Sequence, residues 1–429
     1  MFIEYAVKLA FKSLFSNTFA ENFSKLLFMN DLSFILNELG ENRDDYFRAI
    51  APPIIQTSNF AFHTVEDLRK SFEDEYSSWI YSRGKNPTVE ILKEKLAALD
   101  GAEDCLVFNS GAAAIFASVL SQIKSGDHIV TVEGVYNWAR KMFDIILPRF
   151  NVTTTYIDGR DIENFKKATK TNTVLYYLES PNSWNFALQD LAAVATLAKE
   201  KNITTICDNS YCTPLFQRPI DFGIDLVLQS ATKYIGGHSD TIAGVLTGKK
   251  KIIEKIFNSE YLNIGSGIQP FNAWLLIRGL RTLRTRLDAS SANVLEVISY
   301  LKEEPLVEKI MYPFDESFPQ YTLAKKQMKN AGGLFSFIIR SNSEKEVELF
   351  CNSLQHILIA ISWGGHESLI VPGCAALPRN SFDANNPDHR MLRLYVGLEE
   401  PSYIINDLAQ AFKKLAMFKI PNNLSSSRS

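Results

Sequence analysis

Residues 204–240 read TTICDNSYCTPLFQRPIDFGIDLVLQSATKYIGGHSD, and two short apolar runs in this stretch each lead to a chemically reactive side chain. Asp208 ends the first run, Thr204–Asp208, and Lys233 follows the second, Leu226–Gln229, inside a loop of small residues. Short apolar runs bounded by turn residues are typical of buried strands. Because ligands bind beyond the carboxyl ends of parallel strands, the stretch predicts a site that contains both Asp208 and Lys233.

The same alternation extends outward from this stretch, from about Pro87 to Lys250. Helical segments separate the apolar runs, which is the pattern of a mostly parallel sheet covered by helices. After Gly279 a long helical segment and two further strands predict a smaller α+β unit. The fold class is therefore α/β with a second, smaller domain. The predicted strands of the large unit are Cys105–Asn109, His128–Val132, Thr173–Leu178, Thr204–Asp208 and Leu226–Gln229, and its predicted helices are Thr88–Leu99, Ala112–Ile123, Ala139–Pro148 and Leu191–Lys199.

Five segments are expected along the chain. Residues 1–28 are predicted to be an N-terminal extension outside the fold. Charged residues interrupt their apolar sequence, and Met29 precedes a more polar segment that is typical of the beginning of a folded domain. The other segments are an arm that packs on another surface (29–86), a large ligand-binding domain (87–280), a small C-terminal domain (281–418) and a disordered, serine-rich tail (419–429).

Composition and charge exclude several classes of function. The 429 residues carry a net charge of −3, which argues against a nucleic-acid-binding protein because such proteins usually have an excess of basic residues. No apolar run reaches the roughly 18 residues that span a bilayer, so no membrane partner is expected. The five cysteines are odd in number and have no CxxC spacing, which favours a reducing cytoplasm over a disulfide framework or a metal site.

The types and positions of several residues indicate chemistry, although each has a plainer interpretation. Lys233 could act as a nucleophile that forms a Schiff base, which needs a lowered pKa and polar neighbours such as Ser230 and Thr232, or it could be a surface lysine. Asp208 must be paired if it is buried, or it could cap the following turn. Ser110, Gly111 and Ala112 open a helix, and this start could bind an anion or be an ordinary N-cap.

Further candidates lie outside this core set. Tyr81 and Arg83, in Tyr81-Ser-Arg-Gly-Lys-Asn-Pro-Thr88, suit a phosphate group. Tyr136 could stack on an aromatic ring or lie in the core. Arg393 lies within an apolar strand and could bind a substrate carboxylate or form a structural salt bridge. Ser362 and Trp363 begin a glycine-rich loop that could line the same pocket, whereas His366 in that loop is more plausibly structural.

Together these segments resemble the transsulfuration, or Cys/Met-metabolism, family of enzymes that depend on pyridoxal 5′-phosphate (PLP). The resemblance runs from about Leu32 to Leu415 and is most specific at Ser230–Asp240, which looks like the family's cofactor-lysine signature. It implies an aspartate-aminotransferase-like fold (fold type I) and PLP held as a Schiff base on Lys233. It also implies a cytoplasmic homo-oligomer, usually a dimer of dimers.

The resemblance assigns a role to each matching residue. Asp208 would pair with the pyridine nitrogen of PLP, Tyr136 would stack on the ring and assist catalysis, and Arg393 would bind the substrate α-carboxylate. Ser362 and Trp363 would line the substrate site. The residues that would bind the cofactor phosphate are Ser110, Gly111, Ala112, Ser230 and Thr232 of one subunit with Tyr81 and Arg83 of its neighbour, and Tyr81 would also reach the substrate.

The activity implied by the resemblance is cleavage of a carbon–sulfur bond in a small sulfur-containing amino acid. Glu179-Ser-Pro-Asn-Ser183 and Ser362-Trp-Gly-Gly365 look like bacterial cystathionine β-lyases, so β-elimination of L-cystathionine in methionine biosynthesis is the first expectation. Tyr81–Thr88 is closer to cystathionine γ-synthases and γ-lyases, and the apolar Ile361 is similar to methionine γ-lyases. These γ-elimination or γ-replacement reactions are the alternatives.

Overall fold

Two β-sheets organise the part of the chain that the structure, a computed structural model, describes, residues 31–419. The larger sheet has the strand order β1-β7-β6-β5-β4-β2-β3, in which only β7 is antiparallel to its neighbours. Its strands are β1 (Asp104–Phe108), β2 (His128–Val132), β3 (Thr153–Ile157), β4 (Thr173–Glu179), β5 (Thr204–Asp208), β6 (Leu226–Ser230) and β7 (Gly244–Gly248). The predicted mostly parallel α/β sheet is confirmed.

A second sheet of five strands follows it in the chain, with the order β10-β11-β12-β9-β8. Only the short pair β10 and β11 is parallel. Its strands are β8 (Val307–Met311), β9 (Leu334–Ile339), β10 (Leu358–Ile359), β11 (Leu369–Pro372) and β12 (Met391–Tyr395). The separate smaller sheet agrees with the predicted fold class, whereas the exact domain boundaries stay a prediction.

Helices connect and cover both sheets. In chain order they are α1 (Leu32–Asn37), α2 (Val65–Glu73), α3 (Pro87–Asp100), α4 (Gly111–Leu120), α5 (Asn137–Lys141), α6 (Ile162–Ala168), α7 (Leu191–Lys201), α8 (Thr213–Phe216), α9 (Lys250–Ile256), α10 (Leu262–Ile264), α11 (Pro270–Leu280), α12 (Leu283–Glu303), α13 (Tyr321–Gln327), α14 (Glu344–Ser353) and α15 (Pro401–Lys419). The predicted helix Ala139–Pro148 is instead a short α-helix followed by a π turn (Met142–Ile146) and a 3₁₀ turn (Leu147–Phe150). No helix within residues 31–419 is long and apolar enough to cross a membrane.

Local sequence signals explain where the helices near the site begin. The Asn86 side chain accepts a hydrogen bond from the Thr88 N–H, and Pro87 occupies the first turn, where it loses no helical bond. The Ser110 side chain caps α4 by accepting from the Ala113 N–H at 3.1 Å. These caps place the start of α4 directly after β1, at one end of the larger sheet.

The predicted terminal segments lie largely outside the described residues. This holds for residues 1–28 and for the tail 419–429, of which only Lys419, the last residue of α15, is described. All five cysteines lie within the described part of the chain, and each is buried and unpaired. Burial raises the pKa of these thiols, so they serve as small apolar side chains in the core.

A buried ionic cluster fastens the N-terminal arm to the larger sheet's helices. Glu41 accepts from Lys95 Nζ at 3.0 Å and from Arg281 Nη2 at 3.1 Å, and the side chains of Glu41 and Lys95 are completely buried. Lys95 also donates to the backbone carbonyl oxygens of Ile35 and Leu36. Removing one member of such a cluster leaves an uncompensated charge in a medium that solvates it poorly.

We therefore expect Glu41→Gln to lower the free energy of unfolding by about 3–5 kcal/mol, because the Lys95 ammonium loses its buried counter-charge. The measurement is denaturant-induced unfolding followed by circular dichroism. Glu66→Gln is the matched control, since it breaks the exposed pair with Arg69 and should cost under about 1 kcal/mol. Equal midpoints for the two variants would contradict the anchoring role of Glu41.

Candidate active site

A cavity of about 300 Å³ lies at the carboxyl ends of the central parallel strands. Strand ends of the larger sheet form its floor, and the loop before β11 closes one side. The predicted site residues that line it are Ser110, Gly111, Ala112, Tyr136, Asp208, Ser230, Thr232, Lys233, Ser362 and Trp363. The structure thus brings together the residues that the sequence pattern placed at separate strand ends.

Lys233 lies at the centre of this cavity. Its Nζ donates to Ser362 Oγ at 2.6 Å and lies 4.4 Å from the centre of the Trp363 ring. Burial, together with the positive charge of Arg393, lowers the pKa of Lys233 to about 8, and the charge of Asp208 opposes both effects. An amine with this pKa has a substantial neutral fraction near neutral pH, which a nucleophile or base requires.

The Ser362 loop approaches Lys233 very closely. A Cβ atom on Gly364 would lie 2.5 Å from the backbone nitrogen of Tyr234 and 2.8 Å from the carbonyl carbon of Lys233, so only glycine fits there. Ser362 itself has a φ of 91°, which L-residues rarely adopt. Backbone strain of this kind concentrates at functional sites, and here it points the hydroxyl at Lys233.

Asp208 is a buried carboxylate at the end of β5. Its Oδ1 accepts from the Ser210 backbone N–H at 2.9 Å, and burial raises the pKa of Asp208 while the nearby Lys233 lowers it. A cation that enters the cavity would stabilise the charged form of a carboxylate in this position. The plainer interpretation, that Asp208 caps the following turn, accounts for its hydrogen bond with Ser210. It does not account for the position of Asp208 in the cavity wall.

The start of α4 forms another wall. Ser110, Gly111 and Ala112 line the cavity there, and backbone N–H groups at a helix start attract anions. A Cβ on Gly111 would lie 3.2 Å from Cβ of Ser230, so a side chain at this position would narrow the gap between α4 and β6. Thr232, on the opposite side, exchanges hydrogen bonds with the backbone of Ala243.

Tyr136 lines the cavity, whereas Arg393 lies behind its wall, in contact with the lining residues Ser183 and Trp363. Tyr136 is 41% exposed and faces the cavity, so it is not a buried core tyrosine. Arg393 is buried on β12; its Nη1 donates to the Ser183 carbonyl at 3.1 Å, and its guanidinium carbon lies 4.8 Å from the Trp184 ring and 5.1 Å from the Trp363 ring. Burial lowers the pKa of Arg393 to about 10. Its buried Nε has no hydrogen-bond partner among the described residues, so the cation retains donor capacity for a ligand.

Tyr81 and Arg83 lie elsewhere in this chain. They line a second cavity, of about 290 Å³, together with residues that include Ser58, Gly267 and Gln269. They therefore do not reach Lys233 of the same chain. The sequence-based expectation that they serve a neighbouring subunit stays a prediction.

Sequence reasoning missed several residues of the site. Glu179 ends β4 beside Asp208 and lines the cavity, and Ser183, Trp184 and Ser210 surround Arg393 and Asp208. A signal for Glu179 was available, because it ends an apolar strand just as Asp208 does. The loop residue His366 lies 3.0 Å from Glu367 and is not among the residues that line the cavity.

Comparisons with known proteins identify the family. Residues 35–413 match the model described as Cys/Met metabolism PLP-dependent enzyme. An L-methionine gamma-lyase of Treponema denticola is 41% identical over 377 residues, which cover 86% of this chain and 94% of that protein. A cystathionine beta-lyase of Lactococcus lactis subsp. cremoris is 34% identical over 379 residues, which cover 87% and 97%. The crystal structure of a cystathionine gamma-lyase from Lactobacillus plantarum superposes with a TM-score of 0.82 at 32% identity and covers 90% of this chain and 99% of that chain.

The cavity fits PLP, the cofactor of this family, on its own chemistry. The helix start at Ser110–Ala112 suits a phosphate, the buried Asp208 suits a protonated ring nitrogen, and the Lys233 amine suits an aldehyde. The resemblance inferred from the sequence is confirmed. This chain belongs to the Cys/Met metabolism family of PLP-dependent enzymes and has the fold type I architecture of that family.

Proposed function

We propose that this enzyme is a carbon–sulfur lyase that acts on L-methionine or a similar apolar thioether amino acid by γ-elimination. With methionine the balanced reaction consumes water and releases methanethiol, 2-oxobutyrate and ammonia. Two features of the site support this reaction. A buried amine and a cation can hold and deprotonate an amino acid, and the mouth of the cavity is apolar.

The apolar mouth is the observation that carries this proposal. Ile361 is 82% exposed and Ile242 is 60% exposed, and both line the entrance to the Lys233 cavity. The distal half of cystathionine carries an ammonium and a carboxylate, which lose hydration against two isoleucine side chains without gaining a partner. The S-methyl group of methionine instead gains from such a contact, because apolar surface leaves water. The relative from Treponema denticola, named as an L-methionine gamma-lyase, also supports methionine over cystathionine as the substrate.

Cofactor binding is assigned to residues of both walls. The phosphate would be held by Ser110, Gly111 and Ala112 with the hydroxyls of Ser230 and Thr232. Asp208 would hold a proton on the ring nitrogen, and Tyr136 would stack on the ring. When bound, PLP withdraws electrons from Cα of the amino acid, which makes the α-proton acidic.

The remaining residues would bind the amino acid and move its protons. Arg393 binds the α-carboxylate through the donors that it leaves unused, and Trp363 covers one face of its guanidinium. Lys233 Nζ accepts the α-proton and, in γ-elimination, a proton at Cβ as well. Ser362 Oγ orients this amine through its 2.6 Å hydrogen bond. Tyr136 assists proton transfer to the departing thiolate.

A second candidate is β-elimination of L-cystathionine, which consumes water and gives homocysteine, pyruvate and ammonia. The Ser362-Trp-Gly-Gly365 and Glu179–Ser183 motifs favour it, as does the cystathionine beta-lyase of Lactococcus lactis among the relatives. The motifs alone put this reaction first. We place it second because Ile242 and Ile361 together oppose a charged distal group.

We also propose that the enzyme works as a homo-oligomer built from dimers. Tyr81 and Arg83 line a second, separate cavity in the arm region, and neither lines the Lys233 cavity of the same chain. In a dimer they would complete the phosphate site of the neighbour. We propose the same segments as the sequence predicts: an arm (29–86), a cofactor-binding domain (87–280) and a small domain (281–418).

The deciding experiment incubates the PLP-loaded enzyme separately with L-methionine and L-cystathionine and identifies the keto acid and the thiol by mass spectrometry. We expect 2-oxobutyrate and methanethiol from methionine, with a higher kcat/KM than for cystathionine. Lys233→Ala is the control; it should fold normally, hold no covalent PLP and lose at least about 10³-fold in kcat, because it lacks both nucleophile and base.

Two outcomes would redirect the proposal. Pyruvate with homocysteine from cystathionine, and no thiol from methionine, would establish the second candidate instead. Turnover by Lys233→Ala at the wild-type rate would remove Lys233 from the reaction altogether.

Ile361→Glu should lower kcat/KM for methionine by about tenfold, because a carboxylate at the mouth replaces apolar contact with the S-methyl group. It should lower the value for cystathionine less or raise it, since the new charge can pair with the distal ammonium. Ile359→Glu is the matched control: Ile359 is 54% exposed on β10 and does not line the cavity. The kinetics of both variants with both substrates are measured, and equal losses in the two variants would argue against a specificity role for Ile361.

The charge of Arg393 should be visible in the pH dependence of PLP uptake. Only the neutral amine of Lys233 reacts with the aldehyde, so the rate of uptake by the apo enzyme should rise with pH and level off above about pH 8. Arg393→Gln removes a positive charge that lowers the pKa of Lys233, and the midpoint should move to higher pH. Arg393→Lys keeps the charge and should leave it unchanged. Stopped-flow visible absorbance measures the rates, and an unmoved midpoint in Arg393→Gln would contradict this coupling.

A further inference from the structure

A second carboxylate lies beside Asp208, and the functional assignments so far do not use it. Glu179 ends β4 in register with Asp208 at the end of β5, and it is only 5% exposed. Burial and the charge of Asp208 raise the pKa of Glu179, whereas hydrogen bonds from two backbone N–H groups lower it. An acid in so unfavourable a place is expected to have a specific purpose.

The two hydrogen bonds tie together segments that are distant in the chain. Glu179 Oε2 accepts from the backbone N–H of Tyr136 at 2.6 Å, just before α5. Glu179 Oε1 accepts from the backbone N–H of Ser183 at 3.0 Å, in the loop after β4. One rigid carboxylate therefore sets the distance between the start of α5 and this loop.

Each of these segments holds a group of the site. The first carries the Tyr136 side chain, which lines the cavity. In the second, the Ser183 carbonyl accepts from Arg393 Nη1 at 3.1 Å, and the Trp184 ring stacks 4.8 Å from the guanidinium carbon. The loop is held in turn by Ser336, whose Oγ donates to the Trp184 carbonyl at 2.7 Å. A shift of Ser183 would thus move the cation that we propose binds the substrate carboxylate.

The charged groups around Glu179 act on its carboxyl group in opposite directions. Arg393 on β12 is the nearby counter-charge, and the presence of Glu179 raises the pKa of that guanidinium against the effect of burial. Asp208 on β5 is the like charge, and the Tyr136 phenol faces both carboxylates. Both carboxyl oxygens of Glu179 accept hydrogen bonds from backbone N–H groups, so the side chain is fixed relative to both segments.

We infer that Glu179 is a positioning residue that fixes Tyr136, in the cavity wall, relative to Ser183 and, through Ser183, to Arg393 behind that wall. The inference rests on the proposed roles of Tyr136 in stacking on the cofactor ring and of Arg393 in binding the substrate carboxylate. It extends those roles by naming the group that couples them. Glu179 itself acts through its two neighbours and need not contact the substrate.

Glu179→Gln tests this directly. A glutamine has one acceptor oxygen, so its amide NH₂ would face one of the two N–H donors and break that hydrogen bond. We expect kcat/KM for the preferred sulfur amino acid to fall by about 10- to 100-fold, with KM raised through Arg393 and kcat lowered through Tyr136. PLP should also bind more weakly in equilibrium dialysis, and the visible circular dichroism of the bound cofactor should change, because the stacking ring moves.

Asp407→Asn is the matched control. Asp407 is likewise a buried carboxylate that accepts from backbone N–H groups, those of Gln355, His356 and Ile357, but it lies on α15 and does not line the cavity. This variant should lower thermal stability and leave KM, PLP affinity and the cofactor spectrum unchanged. A merely structural role for Glu179 would make the two variants behave alike, which would overturn the inference.

Coupling gives a second test. If Glu179 acts through Arg393, the losses in kcat/KM caused by Glu179→Gln and Arg393→Lys should be less than multiplicative in the double variant, whereas Asp407→Asn and Arg393→Lys should multiply. Multiplicative losses for the first pair, together with an unchanged KM in Glu179→Gln, would overturn the inference. Should Glu179→Gln fail to fold, Glu179→Asp is judged by the same criteria, since its shorter side chain keeps the charge and reaches only one donor.

The failure of this inference differs from a failure of the proposed function. If the wild-type enzyme released no thiol from any sulfur amino acid, the lyase proposal would fall. The changes in PLP affinity and in the cofactor's circular dichroism in Glu179→Gln would still report on Glu179. A wild-type spectrum, affinity and KM in Glu179→Gln would remove its positioning role while leaving the lyase proposal intact.

Discussion

Removal of the Lys233 amine from water is the constraint on which the rest of the site depends. Burial, together with the positive charge of Arg393, lowers the pKa of this amine to about 8, and an amine withheld from solvent needs a local partner. Ser362 provides the acceptor and Trp363 the aromatic face, and both come from one loop that can approach because residue 364 is glycine. Lys233 follows a strand of the larger sheet, whereas this loop precedes β11 of the smaller sheet. The reactive state of the lysine therefore requires the two sheets to be docked.

The same desolvation acts on every charge around the lysine. Burial raises the pKa of Asp208 and Glu179 and lowers the pKa of Arg393, so each of these groups is held where its charged form is disfavoured. A ligand with a cationic ring nitrogen and an anionic carboxylate would relieve Asp208 and Arg393 at once. The electrostatic cost of burying these charges is thus a source of affinity for that kind of ligand.

Much of this arrangement could be predicted from the sequence, for identifiable reasons. Asp208 and Lys233 were placed correctly because apolar strands mark their ends, and the ends of parallel strands meet at one edge. The short strand β7 was missed because its sequence, Gly-Val-Leu-Thr-Gly, begins and ends with glycine, which is typical of a loop. Glu179 could have been found by the same rule, but its contacts could not, because no periodicity in the sequence reports hydrogen bonds from two backbone N–H groups in separate loops. The predicted helix after Tyr136 was broken by a π turn, which apolar spacing does not reveal.

The residues proposed to act on the amino-acid core and those proposed to select the substrate lie in different parts of the site. Lys233, Asp208 and Arg393 are fixed by strands and by buried hydrogen bonds, and in the proposed reaction they act on the amino-acid core that the candidate substrates share. Because the same amine can remove a proton at Cα or at Cβ, these residues leave the choice between β- and γ-elimination open. That choice must come from groups that contact the distal half of the substrate. At the mouth of this cavity these are Ile242 and Ile361, whose side chains project into solvent and contribute little to the core. A substitution there would leave the buried charges undisturbed, so we propose that the mouth of the cavity decides the reaction type.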